Sequence, residues 1–213
     1  MATWRAFWPA SNTMTAEPRR LAVVLARYHA GPGAPPGIEP AAFARSCLAD
    51  TYEVLADLQE VSAGISGPPQ LAELLWPGDQ LFAELSIRDL AGQASAHFDE
   101  LVVVPGDVPD LPGLVLAKMF KVLHRMELVV APERGGRGCA ALGVRLGTSD
   151  RLPELDLDLA PATLIARAGS SRTARSPDWH RMRTPGSVNR LDPGLEGWDE
   201  TRALLSGRSL GAP

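Results

Sequence analysis

The chain has 213 residues, of which 45% are apolar and 22% charged, the composition of an ordinary globular domain. The formal net charge of −4 argues against general binding to nucleic acid or membrane surfaces. No apolar run approaches the ~18 residues of a membrane span, so no membrane partner is expected. Because the two cysteines form no disulfide framework, a reduced, cytoplasmic setting is expected.

The first half of the chain begins with an extension, residues 1–20, that lacks the features of a signal peptide and is expected to be flexible. "LAVVLA" (21–26) predicts a buried strand, and a loop rich in Gly and Pro follows it. Apolar residues at three- and four-residue steps then predict a helix over 41–58. After these, a strand is expected over 60–66 and helices over 69–76 and 79–96.

The second half starts with the strongest strand signal, Leu-Val-Val-Val at 101–104. A helix over 111–126 follows, with Pro112 in its first turn, and then strands over 127–132 and 139–147. This alternation predicts a single α/β domain over 21–205, followed by a tail over 206–213. Its expected core is a mostly parallel sheet with helices on both faces.

Three loops are expected to meet at the carboxyl edge of this sheet, where α/β proteins bind ligands: 27–40, 105–110 and 132–138. Glycines in the first and third loops allow backbone amides to approach a ligand closely. The second loop carries Asp107 directly after the apolar run. Two interpretations remain open for Asp107: a metal ligand, or a capping or turn residue that acts together with Asp110.

Several motifs carry a resemblance to known families. "APERGGRGCAALGVRL" (131–146) resembles the P-(D/E)-R-x-G-x-G-T-x-A-L stretch of CofC-type guanylyltransferases, and "PGDVPDLP" (105–112) their G-D-x-P-x-L strand end. "ARYHAGPG" (26–33), "LADT" (48–51) and "PGDQLFAEL" (77–85) resemble segments of related bacterial glycosyltransferase-like proteins. "NRLDPGLEGWDETRAL" (189–204) resembles the closing motif D-V-D-T-P-x-D-L. The resemblance spans roughly residues 21 to 205 and implies a divergent member of the GT-A-type, nucleotide-diphospho-sugar-transferase-like fold.

The resemblance also implies a site. Asp107 and Asp192 would be the catalytic carboxylates and would bind Mg²⁺ between the nucleotide phosphates, because hard cations prefer carboxylate and phosphate oxygens. The residues expected to contact the nucleotide are Arg27, Gly31, Gly33, Arg134, Gly136, Gly138 and Cys139. The implied partners are a nucleoside triphosphate or nucleotide sugar and a small phosphorylated acceptor.

The sequence departs from these families where they bind phosphate. Residues 30–44 contain no Lys or Arg, and Cys139 replaces the threonine of the third loop. Six arginines lie in the segment 167–190, which is either a solvated, mobile loop or a phosphate-binding flap that restores the missing charge.

Three functions remain open: Mg²⁺-dependent transfer of a nucleotidyl group from a nucleoside triphosphate to a phosphorylated acceptor, glycosyl transfer from a nucleotide sugar, and a non-catalytic relative that binds a nucleotide or a protein partner. Whether the chain is an enzyme therefore depends on the site.

Overall fold

The computed structural model describes residues 17–151, 154–169 and 172–207. Most of the N-terminal extension and of the tail lies outside these residues. The strands are β1 (Arg20–His29), β2 (Val61–Ser66), β3 (Gln80–Phe82), β4 (Glu100–Gly106), β5 (Leu128–Pro132), β6 (Cys139–Arg145) and β7 (Thr173–Arg175). The helices are α1 (Pro40–Ala56), α2 (Ile87–Ala94), α3 (Gly113–Leu123), α4 (Pro161–Ala168) and α5 (Asp199–Leu205).

The seven strands form one sheet in the order β3-β2-β1-β4-β6-β5-β7. The β4–β6 and β5–β6 pairs are antiparallel and the other four pairs are parallel, so β6 alone runs against its neighbours. The predicted α/β class with a mostly parallel sheet is therefore confirmed. No helix of the described residues is long and apolar enough to cross a membrane.

The two central strands are apolar on both sides because helices cover both faces of the sheet. Leu21 and Val23 of β1 point into one core, which α2 and α4 complete. Ala22 and Val24 point into the opposite core, against α1 and α3. This alternation with a period of two is the pleat of a strand, so unbroken apolar runs are what a doubly covered sheet requires.

A third cluster fixes the C-terminal part of the chain on α1. It contains six buried residues: Ala30, Phe43, Cys47, Met182, Leu191 and Trp198. The segment that follows β7 therefore crosses back over the carboxyl edge of the sheet, with Met182 as its fully buried anchor.

Several element boundaries differ from the predictions. The predicted helix 79–96 contains β3, and its helical part is only α2. The predicted helix 69–76 is a 3₁₀ helix over Pro69–Leu74. The first strand runs on to His29, where it pairs with Gly106 after a bulge, so part of the predicted loop is strand. The elements β7, α4 and α5 were not predicted. The elements that they pack against lie far away in sequence, and local periodicity gives no information about such distant contacts.

Candidate functional site

Asp107 follows β4 directly, and its side chain is buried, with 2% of the residue exposed. The guanidinium of Arg181 donates to both carboxylate oxygens: Nε lies 2.8 Å from Oδ1 and Nη2 lies 2.9 Å from Oδ2. Arg181 is equally buried and stacks over the ring of Tyr28, 5.5 Å from its centroid. Charge-assisted, two-pronged pairs of this kind are strong and directional. The carboxylate predicted to bind a metal ion is therefore engaged by a cation of the chain itself.

The electrostatics of this pair keep the guanidinium charged. Burial raises the pKa of Asp107, and the positive charge of Arg181 opposes part of that rise. Burial acts to lower the pKa of Arg181, but the nearby carboxylates of Asp107 and Asp158 outweigh it and the net shift is upward. Removing either partner would leave the other charge buried without compensation, which is strongly unfavourable.

The pair belongs to a larger network of alternating charges. Nη1 of Arg181 donates to Oδ1 of Asp158 at 3.0 Å. Arg183 binds the same Asp158 oxygen, and its Nε lies 3.2 Å from Oε2 of Glu133, an ion pair without hydrogen-bond geometry. The Arg183 and Arg181 guanidiniums outweigh the effect of burial and lower the pKa of Asp158. Three carboxylates and two guanidiniums therefore share the end of β4 and the loop after β5.

Asp110 is a second buried carboxylate of the same loop. Its Oδ1 accepts from the indole Nε1 of Trp179 at 3.0 Å, and its Oδ2 accepts from the backbone amide of Asp192 at 3.3 Å. Nε2 of His180 also lies 3.0 Å from Oδ1, but not in hydrogen-bond geometry. The N-cap residue of α3 is Pro112 and no side chain caps this helix, so the capping half of the alternative for Asp107 and Asp110 is wrong, whereas both residues do lie in turns.

The two predicted metal ligands have different partners. The carboxylate of Asp192 is exposed and accepts from the amide of Gly194 at 2.8 Å, which closes a turn. The carboxylate of Asp107 is buried against Arg181. Within the described residues, no group of three or more His, Cys, Asp and Glu side chains is arranged to hold a metal ion. These residues, as placed, do not fit a shared Mg²⁺, and the Mg²⁺ site stays a prediction.

The loop after β1 is held by contacts within the chain. Arg27 donates to the carbonyl of Leu85 at 2.6 Å and stacks on Tyr28. The amide of Gly31 donates to Nδ1 of His29 at 3.2 Å. Gly33 is buried, and a Cβ on it would lie 2.2 Å from the carbonyl oxygen of Met182. This glycine is therefore explained by close packing of the segment that carries Arg181.

The N-terminus of α1 lies beside this loop. The side chain of Glu39 accepts from the amides of Ala41 and Ala42 at 2.9 and 2.6 Å. These bonds lower the pKa of Glu39, so the carboxylate is charged near neutral pH. Helix N-termini commonly bind phosphate. Here the chain covers its own helix N-terminus with a negative charge.

A cavity of about 970 Å³ opens above the ends of β1 and β2. Pro32, Pro40, Ala41, Ala44 and Leu48 give it largely apolar walls. Its polar lining residues are Arg27, His29, Glu39, Arg45 and Glu84, so that two arginines stand beside two glutamates. The cavity thus offers an apolar surface with little net charge.

The loop between β5 and β6 holds the remaining predicted residues. Arg134 is exposed, pairs with Asp178 and stacks on Trp179 at 5.3 Å. Gly136 leaves space for the Glu133 carboxyl group, and the amide of Gly138 donates to that group at 3.3 Å. The last residue, Cys139, is fully buried, and burial raises the pKa of its thiol to about 12. Cys139 is therefore a core residue of β6, without access to a ligand.

Four members of the charge network were not predicted from the sequence, namely Glu133, Asp158, Arg181 and Arg183. The interpretation of 167–190 as a solvated loop is wrong for its central part, where Arg181 and Met182 are buried. The excess of arginine in an acidic chain was the signal, but the partners of these arginines lie 23 to 74 residues away. Whether the segment binds phosphate stays a prediction.

Comparison with models of protein families finds no match, and comparison with curated proteins finds none. Solved structures do match. A protein of Desulfovibrio desulfuricans G20 assigned as a nucleotide-diphospho-sugar transferase superposes with a TM-score of 0.63 at 17% identity, over 91% of this chain and 100% of that chain. The chain has the nucleotide-diphospho-sugar transferase fold.

Two further structures of this transferase fold cover nearly the whole chain. A cytidylyltransferase from Leptospira borgpetersenii matches with a TM-score of 0.51 at 12% identity, over 88% of this chain and 92% of that chain. A CMP:2-keto-3-deoxy-manno-octonic acid synthetase, solved in complex with CTP, matches with a TM-score of 0.52 at 14% identity, over 88% and 99%. The predicted fold is therefore confirmed, whereas the particular likeness to CofC-type guanylyltransferases stays a prediction.

Proposed function

We propose that the chain binds a nucleotide, either a nucleoside triphosphate or a nucleotide sugar, in the cavity above β1 and the first turns of α1, and that it does so without catalysing transfer. The observation that carries this proposal is the position of the cavity. It lies at the carboxyl ends of parallel strands, beside the point where the strand order reverses between β1 and β4. Open α/β sheets bind their ligands at such points.

The lining of the cavity supports recognition of the nucleoside. Its volume of about 970 Å³ is within the range of small-molecule sites. Alanine, proline and leucine side chains form an apolar surface on which a base and its sugar could lie, and His29 and Arg27 add polar groups at the rim. The Leptospira cytidylyltransferase and the synthetase solved with CTP are nucleotide-using proteins of the same fold.

The charges argue against phosphate chemistry. Arg27 donates to a backbone carbonyl and Arg45 pairs with Glu73 at 2.6 Å, so both are engaged within the chain. Glu39 covers the amides of α1 that would otherwise face a phosphate. Transfer of a nucleotidyl group needs positive charge placed against the phosphates, and losing one such group typically costs several kcal/mol of transition-state stabilisation.

Thermal unfolding tests the binding step. The purified chain is unfolded with each nucleoside triphosphate and a set of nucleotide sugars, once with Mg²⁺ and once with a chelator. A ligand at about 100 times its Kd adds about 2.7 kcal/mol to the free energy of unfolding. For a domain of this length, that is a melting shift of roughly 5–10 °C.

Two alanines of α1 provide a matched pair of variants. Ala44→Trp places an indole in the cavity, whereas Ala49→Trp places it beside a separate cavity of about 350 Å³. We expect the nucleotide-dependent shift to disappear in Ala44→Trp and to remain in Ala49→Trp. A chain that responds to no nucleotide, or an Ala44→Trp variant that responds like the wild type, would refute the proposal.

Product assays separate binding from the two transfer activities. Each nucleoside triphosphate is incubated with Mg²⁺ and a panel of sugar phosphates, and each nucleotide sugar with the same acceptors. We expect neither pyrophosphate nor nucleoside diphosphate to form. Pyrophosphate release would replace the proposal with Mg²⁺-dependent nucleotidyl transfer to a phosphorylated acceptor, and nucleoside diphosphate release would replace it with glycosyl transfer.

A further inference from the structure

We infer that the guanidinium of Arg181 takes the place of the divalent cation implied at the end of β4, so that this edge of the sheet is built to operate without a bound metal. The side chains at this position do not suit the Mg²⁺ that the sequence resemblance implies. Both oxygens of Asp107 are within 3.1 Å of Arg181 nitrogens, inside a site that is almost closed to solvent. A metal ion would have to displace a buried, two-pronged pair.

The guanidinium stands between carboxylates, as a bound cation would. Nε and Nη2 face Asp107, while Nη1 lies 3.0 Å from Asp158 and 3.4 Å from the carbonyl of Cys139. These oxygen atoms come from the loop after β4, from β6 and from the segment before α4. Oxygens converging from separate elements are what a hard cation requires. Here one delocalised positive charge satisfies them through hydrogen bonds.

The local sequence supports this substitution. The segment from 181 to 188 reads R-M-R-T-P-G-S-V and shares the Thr-Pro step of the closing motif D-V-D-T-P-x-D-L, with arginine at both leading acidic positions and serine at the third. Thr184 and Pro185 open a 3₁₀ helix with a capping box, as a Thr-Pro step at a helix start should. By this alignment the two leading positions of the motif lie 11 and 9 residues before Asp192, the residue to which the sequence resemblance assigned the motif's aspartate.

The backbone fixes the segment in this place. The amide of Met182 donates to the carbonyl of Asp107 at 2.8 Å, and the Met182 side chain is fully buried in the cluster on α1. Arg181 and Arg183, which flank it, both reach Asp158. Because residues one position apart on an extended segment point to opposite sides, burying Met182 aims both arginines at the carboxylates.

The first arm of the test uses the wild type and Mn²⁺ alone, so its result does not depend on nucleotide binding. Mn²⁺ binding is followed by electron paramagnetic resonance and by thermal unfolding, with Asp107→Asn as the comparison. We expect Mn²⁺ to leave the melting temperature of the wild type unchanged. Mn²⁺ binding that Asp107→Asn abolishes would overturn the inference, since it would mean that the metal displaces Arg181.

The second arm uncovers the carboxylates. Arg181→Ser removes the guanidinium from Asp107 and Asp158, and we expect the variant to gain a Mn²⁺ site and to melt at a higher temperature when Mn²⁺ is added. Arg134→Ser, which removes an exposed arginine from the same edge, is the control and should gain no such response. An Arg181→Ser variant that folds but ignores Mn²⁺ would overturn the inference. If it does not fold even with Mn²⁺, the wild-type arm decides.

Discussion

Asp50 provides the sharpest test of how the C-terminal helix is attached. It lies in α1 and is fully buried, and its two oxygens accept from the amides of Glu200 and Thr201 in the first turn of α5, at 2.9 and 2.8 Å. Burial raises its pKa to about 7, although these backbone donors oppose the rise. One carboxyl group therefore joins elements 150 residues apart in sequence and titrates near neutral pH.

The magnitude follows from the pKa. An ordinary aspartate has a pKa of 3.8 and Asp50 one of about 7, so between these values the folded chain holds about one proton more than the unfolded chain. The free energy of unfolding must then fall as the pH rises, by about 1.4 kcal/mol per pH unit. Across about three units the loss approaches 4 kcal/mol, a large share of the stability of a typical domain.

The assay is urea unfolding from about pH 4.5 to pH 7.5, followed by tryptophan fluorescence, for the wild type and Asp50→Asn. The asparagine keeps an acceptor for α5 but does not titrate. Contributions from groups that do not interact with Asp50 are common to both chains and cancel in the difference, whereas Glu53, whose charge helps to raise the pKa of Asp50, leaves a smaller residual contribution. We expect the wild type to lose stability relative to the variant as the pH rises. Parallel curves would refute the reasoning.

Three further predictions concern the site and its surroundings. Asp107→Ala should lower the free energy of unfolding by about 3–5 kcal/mol, because Arg181 stays buried without its main partner. Arg134→Ala removes an exposed pair and should lower it by less than about 1 kcal/mol. Urea unfolding measures both values. Gly33→Ala should lower the melting temperature, because its Cβ would meet the Met182 carbonyl, while Gly186→Ala has open space and should not. Both cysteine thiols should resist iodoacetamide near pH 8 in the folded chain, because burial raises the pKa of each thiol. Both should react in urea, and mass spectrometry measures the extent of modification.

The sequence predicts the central sheet well because its strands are defined locally. The runs at 21–26 and 101–104 are apolar throughout, and both became central strands covered on two faces. The prediction failed at the edges. The strand Gln80–Phe82 has only three residues and pairs with β2. It was assigned to the predicted helix 79–96 because the residues that follow it have the periodicity of a helix. The strand Thr173–Arg175 is defined by its pairing with β5, 45 residues earlier, and not by its own composition.

The place of Asp107 in the fold could be predicted from the sequence, whereas its partner could not. Asp107 lies where a carboxylate after a central strand should lie, at the carboxyl edge and facing the interior. Nothing in the residues around it distinguishes a metal ligand from half of an ion pair, because a buried carboxylate needs a cation of some kind in either case. The choice depends on which segment crosses the edge, and that segment begins more than 70 residues later.

The closing motif can be aligned with this chain in two places, and the two alignments give Asp107 different partners. The alignment that keeps an aspartate lies at Asn189–Asp192, whereas the alignment that keeps the Thr-Pro step lies at 181–188 and has arginine at both leading acidic positions. The Thr-Pro step at 184–185 opens a 3₁₀ helix in the structure, and this role does not depend on the charge of the residues before it. Arg181 places one positive charge against the carboxylate of Asp107, where a divalent cation would place two. Where basic residues stand at the acidic positions of a motif, the neighbouring residues that set the backbone, here Thr184 and Pro185, are therefore the better guide to the alignment.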